Sequence, residues 1–127
     1  MSSLNVSDLP SLKSLNCSRN MLKDDNLILT GSIGLINLDC SLNGTNYDFI
    51  NLNLAGFTKL ESLNCSEQPE DGGTSADDTM GFDISACTGL KTLNCSYCPI
   101  ETLDVSNLSN LETIDASGCN LSEITLD

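Results

Sequence analysis

LKSLNCSRN, at residues 12–20, recurs in recognisable form four more times along the 127-residue chain. In each copy, leucine or isoleucine holds the first and fourth positions, cysteine or alanine the sixth, and asparagine, glutamine or cysteine the ninth. A fixed internal period indicates a repeat architecture more strongly than any local propensity does. The other copies are LINLDCSLN (35–43), LESLNCSEQ (60–68), LKTLNCSYC (90–98) and LETIDASGC (111–119).

A second motif precedes every copy at a constant distance. Eight residues before each leading leucine stands another apolar residue, which opens an apolar-x-apolar triplet. Two motifs in one fixed phase predict about five stacked coils of a solenoid, forming a single domain over residues 1–127. The triplets begin at Leu4, Leu27, Leu52, Phe82 and Leu103, and a sixth begins at Ile124.

The coils differ in length, and the extra residues all fall in one part of the repeat. The leading leucines are 23, 25, 30 and 21 residues apart, and the insertions lie between the ninth position and the next triplet. The largest insertion contains the acidic segment 69–79, which we interpret as a surface loop. Its carboxylates at Asp71, Asp77 and Asp78 leave calcium binding open as an alternative, because calcium prefers several oxygen ligands.

Side chains alternate across a strand, so the motif at residues 12–20 divides into two faces. Leu15 and Cys17 should point inward, whereas Asn16 should point outward. A 21-residue coil leaves little room for a helix. We therefore predict a parallel sheet from the first motif, short extended segments or turns from the second, and little helix. A further inward column is predicted at Leu9, Phe57, Cys87 and Leu108.

This pattern resembles the leucine-rich repeat family, and within it the short internalin-like repeats of bacterial surface proteins, written LDVSxxxxLxxLxCSxN. The resemblance implies a right-handed solenoid whose concave sheet binds proteins, displayed at the cell surface or secreted. It also implies that Asn20 and Asn43 bond neighbouring backbone. The chain departs from the pattern by placing Gln68 and Cys98 where asparagine is usual. It also has no recognisable terminal caps and begins and ends inside a repeat, so we expect a piece of a longer protein.

Composition narrows the classes of function. The formal net charge of −13 disfavours nucleic acid and anionic membrane surfaces as partners, because both require a positive face. No apolar run reaches the length of a membrane span. Histidine is absent, as are a nucleophile elbow and a phosphate-binding glycine loop. We therefore predict a non-enzymatic protein with no catalytic residues, no metal site and no cofactor.

Seven cysteines invite a disulfide or metal interpretation, which the repeat register argues against. The cysteine at the sixth position of four coils should point inward, where a free thiol behaves as a small apolar group. Cys98 and Cys119 hold the ninth position, and Cys87 falls in the column of Leu108. We predict buried free thiols at all seven positions, including the Cys95-x-x-Cys98 pair.

The predicted function is protein interaction, with a glycan as the alternative ligand and a structural spacer as the alternative role. The side chains in the outward columns of the sheet are small and polar, so we expect larger contact side chains just beyond its edge. End-to-end self-association through exposed sheet edges is a further expectation. The candidate contact residues are Asn16, Asp39, Asn64, Asn94 and Asp115 on the sheet, and Arg19, Leu42, Tyr47, Phe49, Glu67 and Tyr97 beyond it.

Overall fold

The computed structural model describes residues 1–44, 49–68 and 80–126. Within these ranges the secondary structure consists of strands and turns, without a helix. The strands alternate along the chain between a main sheet and a second layer. They are β1 (Leu4–Asn5), β2 (Ser14–Asn16), β3 (Leu27–Ile28), β4 (Asn37–Asp39), β5 (Leu52–Asn53), β6 (Ser62–Asn64), β7 (Phe82–Asp83), β8 (Thr92–Asn94), β9 (Thr102–Asp104), β10 (Thr113–Asp115) and β11 (Glu123–Thr125).

The main sheet confirms the predicted parallel solenoid of about five turns. Its five strands follow the spatial order β10-β8-β6-β4-β2, and every neighbouring pair is parallel. Equivalent repeat positions face each other in all four pairs, so that Leu15 opposes Leu38 and Leu63 opposes Leu93. The same side chain therefore recurs at one spacing along the whole sheet, which is how stacked coils bury a face that no single coil can bury.

The second layer is discontinuous. Its strands pair in parallel as β1 with β3, β5 with β7 and β9 with β11, giving three separate two-stranded sheets. One isolated bridge, between Asp24 and Ile50, joins the second coil to the third. The apolar triplets form short extended segments, as predicted, but their hydrogen bonding does not run unbroken along the stack.

The core lies between the two layers and is best closed in the middle coils. Leu38, Leu63 and Leu93 are buried, whereas Leu15 at one end is partly exposed and Ile114 at the other is 38% exposed. The prediction of an inward column at Leu9, Phe57, Cys87 and Leu108 holds except at Leu9. Leu9 is 45% exposed because it belongs to the first coil and has no preceding coil to cover it.

One core column was not anticipated. It lies two residues beyond the ninth repeat position in the two shortest coils, as at Leu22 and Ile100. Where a coil carries an insertion, the chain returns to this column at the end of the insertion, at Ile50 and Met80. All four side chains are at most 5% exposed. Each insertion therefore lies between two fixed core positions and leaves the stack intact.

The ninth position forms a ladder of hydrogen bonds between coils. The side-chain amide of Asn43 donates to the carbonyl of Cys17 in the preceding coil at 3.0 Å, and its Oδ1 accepts from the Leu22 N–H at 3.1 Å. Gln68 Nε2 donates to the Cys40 carbonyl at 3.2 Å. In the first coil, Asn20 donates to the carbonyl of Cys17 in its own coil. The prediction that Asn20 and Asn43 bond the backbone is thus confirmed.

Thiols continue this ladder where asparagine is replaced. Cys98 donates through its S–H to the Cys65 carbonyl, with sulfur and oxygen 3.0 Å apart, and Cys119 donates to the Cys95 carbonyl at 2.9 Å. All seven cysteines are free and buried, as the repeat register predicted. Burial raises the pKa of the Cys17 and Cys87 thiols to about 11 and that of Cys95 to about 12.

Raised thiol pKa values predict a loss of stability at alkaline pH. Well below pH 9, the ordinary pKa of a thiol, the thiols are neutral in both folded and unfolded chains. Between about pH 9 and 12 the unfolded chain loses these protons first, so the free energy of unfolding falls as pH rises. Urea denaturation at pH 8, 9 and 10.5 measures this fall. A Cys95→Ala variant should show a shallower fall than the parent chain, and equal slopes would contradict the assignment to the thiols.

Candidate functional site

The polar column at the centre of the main sheet is held by local hydrogen bonds. In every coil, Oδ1 of the asparagine or aspartate accepts from both the backbone N–H and the hydroxyl of the serine two residues later. The hydroxyl distances lie between 2.6 and 2.8 Å in all five coils. The pairs are Asn16 with Ser18, Asp39 with Ser41, Asn64 with Ser66, Asn94 with Ser96 and Asp115 with Ser117.

This geometry fixes the sheet-face side chains before any partner arrives. One carbonyl or carboxyl oxygen of each residue is committed to the turn, and the other side-chain atom faces outward. Asn16 and Asp115 are exposed, and the three residues between them are partly exposed. The Ser117 hydroxyl and backbone N–H lower the pKa of the Asp115 carboxyl, which keeps that end of the column charged. The face is therefore polar, small and pre-ordered.

The serine column is less exposed than strand alternation suggested. Ser41, Ser66 and Ser96 stand two residues after the outward Asx residue, where strand alternation would direct them outward as well, but they are buried, at 4–7% exposure. They follow the strands, where the backbone begins to turn, and the hydrogen bond to the preceding Asx residue folds each hydroxyl against the coil. These serines therefore belong to the turn and contribute little to the surface.

Just after the C-terminal ends of the main-sheet strands, one column of residues adopts a left-handed backbone in all five coils. Four of its residues are not glycine, although a positive φ costs such residues on the order of 1–2 kcal/mol each. Each residue immediately precedes the ninth position, so the left-handed turn directs the ladder side chain back into the core. The column comprises Arg19 (φ 57°), Leu42 (55°), Glu67 (56°), Tyr97 (53°) and Gly118 (70°). We call these five residues the left-handed column.

Exposure within the left-handed column is uneven. Arg19 and Glu67 are exposed, Tyr97 is 54% exposed and Leu42 is partly buried. The Tyr97 ring lies across the next coil, because a Cβ on Gly118 would come within 2.6 Å of its Cδ1 and Cε1 atoms. Glycine at position 118 thus accommodates both the positive φ and the ring. Tyr97 is consequently an exposed aromatic side chain seated on its neighbour.

The expected contact set requires one correction. Phe49 was placed with the exposed contact residues, but it is 8% exposed and belongs to the core. It immediately precedes Ile50, where the chain returns to the core, and its carbonyl accepts from the Asp24 N–H of the preceding coil. Tyr47 lies outside the described residues, as does the acidic segment 69–79 with its alternative of calcium binding.

The described residues offer no further arrangement for metal binding. Within residues 1–44, 49–68 and 80–126, no three His, Cys, Asp or Glu side chains are grouped so that they could hold a metal ion. The pair Cys95 and Cys98 is divided between the inward column and the ladder, where each thiol packs as a core group. No helix in the described part of the chain is long and apolar enough to cross a membrane.

Comparisons with known proteins agree with the fold. The family described as Leucine Rich Repeat matches residues 89–111 and 110–127, which are the fourth and fifth coils as far as the end of the chain. We found no match to the chain among curated proteins or among solved structures. The matched repeats and the parallel main sheet are consistent with a leucine-rich-repeat type of solenoid. Leucine-rich repeats are typically non-enzymatic interaction modules.

The contact between Tyr97 and Gly118 can be tested by a double-mutant cycle. Gly118→Ala should lower the free energy of unfolding by about 1–3 kcal/mol, because alanine is strained at a positive φ and its Cβ meets the ring. In a Tyr97→Ala background the same change should cost less, since only the backbone strain remains. Urea denaturation of the four proteins measures both costs. An equal cost in the two backgrounds would show that the ring does not lie on Gly118.

Proposed function

We propose that this chain is a protein-interaction module whose contact surface combines the main sheet face with the left-handed column. The observation that carries the proposal is the exposed Tyr97 ring, which lies just after the C-terminal end of β8 and packs on Gly118. Tyrosine provides a large contact area for a small loss of rotamer freedom, and it is enriched among the residues that dominate binding energy. Arg19 and Glu67 supply charges of opposite sign along the same column.

The sheet face supplies orientation to this surface. Its Asx side chains are held by the serines, so little side-chain entropy remains to be lost when a partner binds. Their outward amide groups can also bond sugar hydroxyls, which makes a glycan the alternative ligand. An aromatic ring beside ordered amides suits both kinds of ligand. The left-handed column runs along all five coils, and a contact surface of that length favours a protein over a glycan.

We further propose that the parent protein is displayed at a bacterial cell surface or secreted. The support is the resemblance of the repeat to internalin-like sequences, and the state of the cysteines does not oppose it. Free thiols are uncommon in oxidising compartments. Here burial raises the pKa of thiols such as Cys40 and Cys95, and their ionised, reactive form is therefore scarce. Such cysteines are compatible with export.

The binding surface is tested by comparing the chain with its Tyr97→Ala variant. Both proteins are immobilised and exposed to host extracellular proteins and to a glycan array, and a captured ligand is purified and titrated. We expect Tyr97→Ala to weaken binding at least tenfold while the melting temperature changes little. Thr58→Ala, at an exposed position away from the sheet, serves as the matched control and should bind like the parent.

A structural spacer is the second candidate function, favoured by the small side chains of the sheet face. A spacer would hold a neighbouring domain at a distance and would itself bind neither proteins nor glycans. Failure of the unmutated 127-residue chain to capture a ligand that a longer form of the protein captures would support the spacer. Equal affinity of the parent and Tyr97→Ala for a captured ligand would remove the left-handed column from the contact surface.

In the 127-residue chain taken by itself, the two exposed ends of the stack favour a second copy of this chain as an additional partner. The first coil exposes Leu9 and Met21, and the last exposes Ile114 and Leu126. Charge is divided along the stack, since three of the five basic residues lie within the first 23 residues and all six charged residues after Lys91 are acidic. Head-to-tail stacking would bury apolar surface, pair the free edges of β10 and β2, and bring opposite charges together.

Lys13 and Glu112 make this self-association testable. They hold the repeat position at which Glu61 and Lys91 form a 3.0 Å ion pair between neighbouring coils. Head-to-tail stacking would set Glu112 of one copy beside Lys13 of the next. Sedimentation equilibrium should show concentration-dependent association that Lys13→Glu weakens and that adding Glu112→Lys restores. A monomer at millimolar concentration, or no restoration by the double exchange, would contradict head-to-tail stacking.

A further inference from the structure

The second layer opens between the second and third coils. No Cα atom of β3 lies within 8 Å of one in β5, although both strands are fully described. Adjacent strands of a sheet are about 4.8 Å apart, so β3 and β5 are separated by more than the distance between two paired strands. A cavity of about 490 Å³ occupies the opening, which is within the range of ligand-binding clefts. We call this opening the coil 2–3 cleft.

The cleft is bounded at both ends by contacts between the two coils. At one end, the Asp24–Ile50 bridge holds the backbones together, and the Asn51 amide lies 3.5 Å from the Asp25 carboxylate. At the other, Ile33 Cγ2 lies 3.5 Å from the point that a Cβ on Gly56 would occupy. The backbone turn at Asp24, which has a φ of 48°, begins the divergence. The opening is therefore a slot of defined length.

The walls of the cleft are strand edges with backbone groups directed into it. Along β5 and the residue after it, the N–H groups of Leu52 and Leu54 donate to the carbonyls of Gly81 and Asp83, in and next to β7. Peptide groups alternate sides along a strand, so the N–H and carbonyl of Asn53 face the cleft. On the opposite wall, the Ile28 carbonyl accepts from the N–H of Val6, the residue after β1, so the N–H groups of Leu27 and Leu29 face the cleft.

The floor of the cleft is apolar. Buried side chains from both coils form it, and the charged residue on its rim is acidic. An extended peptide between two strand edges would alternate inward and outward side chains, placing every second residue on this floor. A basic side chain at the end of such a peptide would meet Asp25. The floor residues are Leu27, Leu29, Leu52, Leu54 and Phe57.

We propose that the coil 2–3 cleft binds an extended peptide of three to four residues, inserted as a strand between β3 and β5, with apolar side chains at alternate positions and a basic end. Such a strand would join β1-β3 to β5-β7 as one continuous sheet. A similar opening between β7 and β9 holds only about 160 Å³, which makes the first cleft the better fit. This surface is distinct from the left-handed column, so either proposal can fail alone.

The test uses the 127-residue chain and a fluorescein-labelled pentapeptide of sequence Thr-Val-Thr-Val-Lys, whose last four residues represent the proposed ligand, titrated by fluorescence anisotropy at physiological ionic strength. We expect saturable one-to-one binding. The same peptide with an N-methyl group on its central residue keeps its charge but loses a backbone donor, and it should bind at least tenfold more weakly. No saturation at millimolar concentration, or equal affinity of the two peptides, would overturn the proposal.

A pair of proline variants locates the binding. Asn53→Pro removes the N–H that faces the cleft and leaves the donors to β7 in place. Asn5→Pro is its matched control, because Asn5 holds the same repeat position, its Oδ1 accepts from Ser7 as that of Asn53 does from Ala55, and its N–H faces away from β3. Only Asn53→Pro should weaken peptide binding, and equal affinity of the two variants would overturn the location. If Asn53→Pro does not fold, the N-methyl comparison decides.

Discussion

The stack depends on one hydrogen bond that is repeated between coils. The residue at the ninth repeat position reaches across to the carbonyl of the inward cysteine of the preceding coil, at Cys17, Cys40, Cys65 and Cys95 in turn. That carbonyl is a buried acceptor, and leaving such a group without a partner costs about 1–3 kcal/mol. At Cys17, Cys40 and Cys65 the ninth residue of the same coil donates to the carbonyl as well. The need to satisfy it explains why the ninth position is nearly always polar, and why a thiol can replace an amide there.

The same bond accounts for the strained backbone beside it. For the ninth side chain to reach inward, the preceding residue turns with a positive φ, and this conformation recurs in five coils with four different non-glycine side chains. Strain of this kind persists only where the surrounding structure imposes it. The left-handed column is therefore first a consequence of stacking. Its side chains are directed outward from the turn, and the ladder leaves their identity free to vary.

The solenoid could be predicted from the sequence because both motifs consist of core residues at fixed spacings. The inward alternation of Leu38 and Cys40 follows from strand geometry and needs no knowledge of neighbouring coils. Phe49 was misplaced for the opposite reason, because its burial depends on where an insertion rejoins the core, and no repeat position specifies that point. The column at Leu22 and Ile100 was readable two residues after the ninth position in the short coils. The insertions obscured it in the others.

The positive φ values and the coil 2–3 cleft could not be predicted from the repeat pattern. Only Gly118 hints at a left-handed residue, since arginine, leucine, glutamate and tyrosine at the same position carry no such signal. The cleft arises because the backbone turns at Asp24 within a coil whose motifs are otherwise regular. The main sheet excludes such variation because every coil must join the ladder at one spacing. The second layer has no comparable constraint, so local differences between coils can open binding surfaces there while the sheet stays uniform.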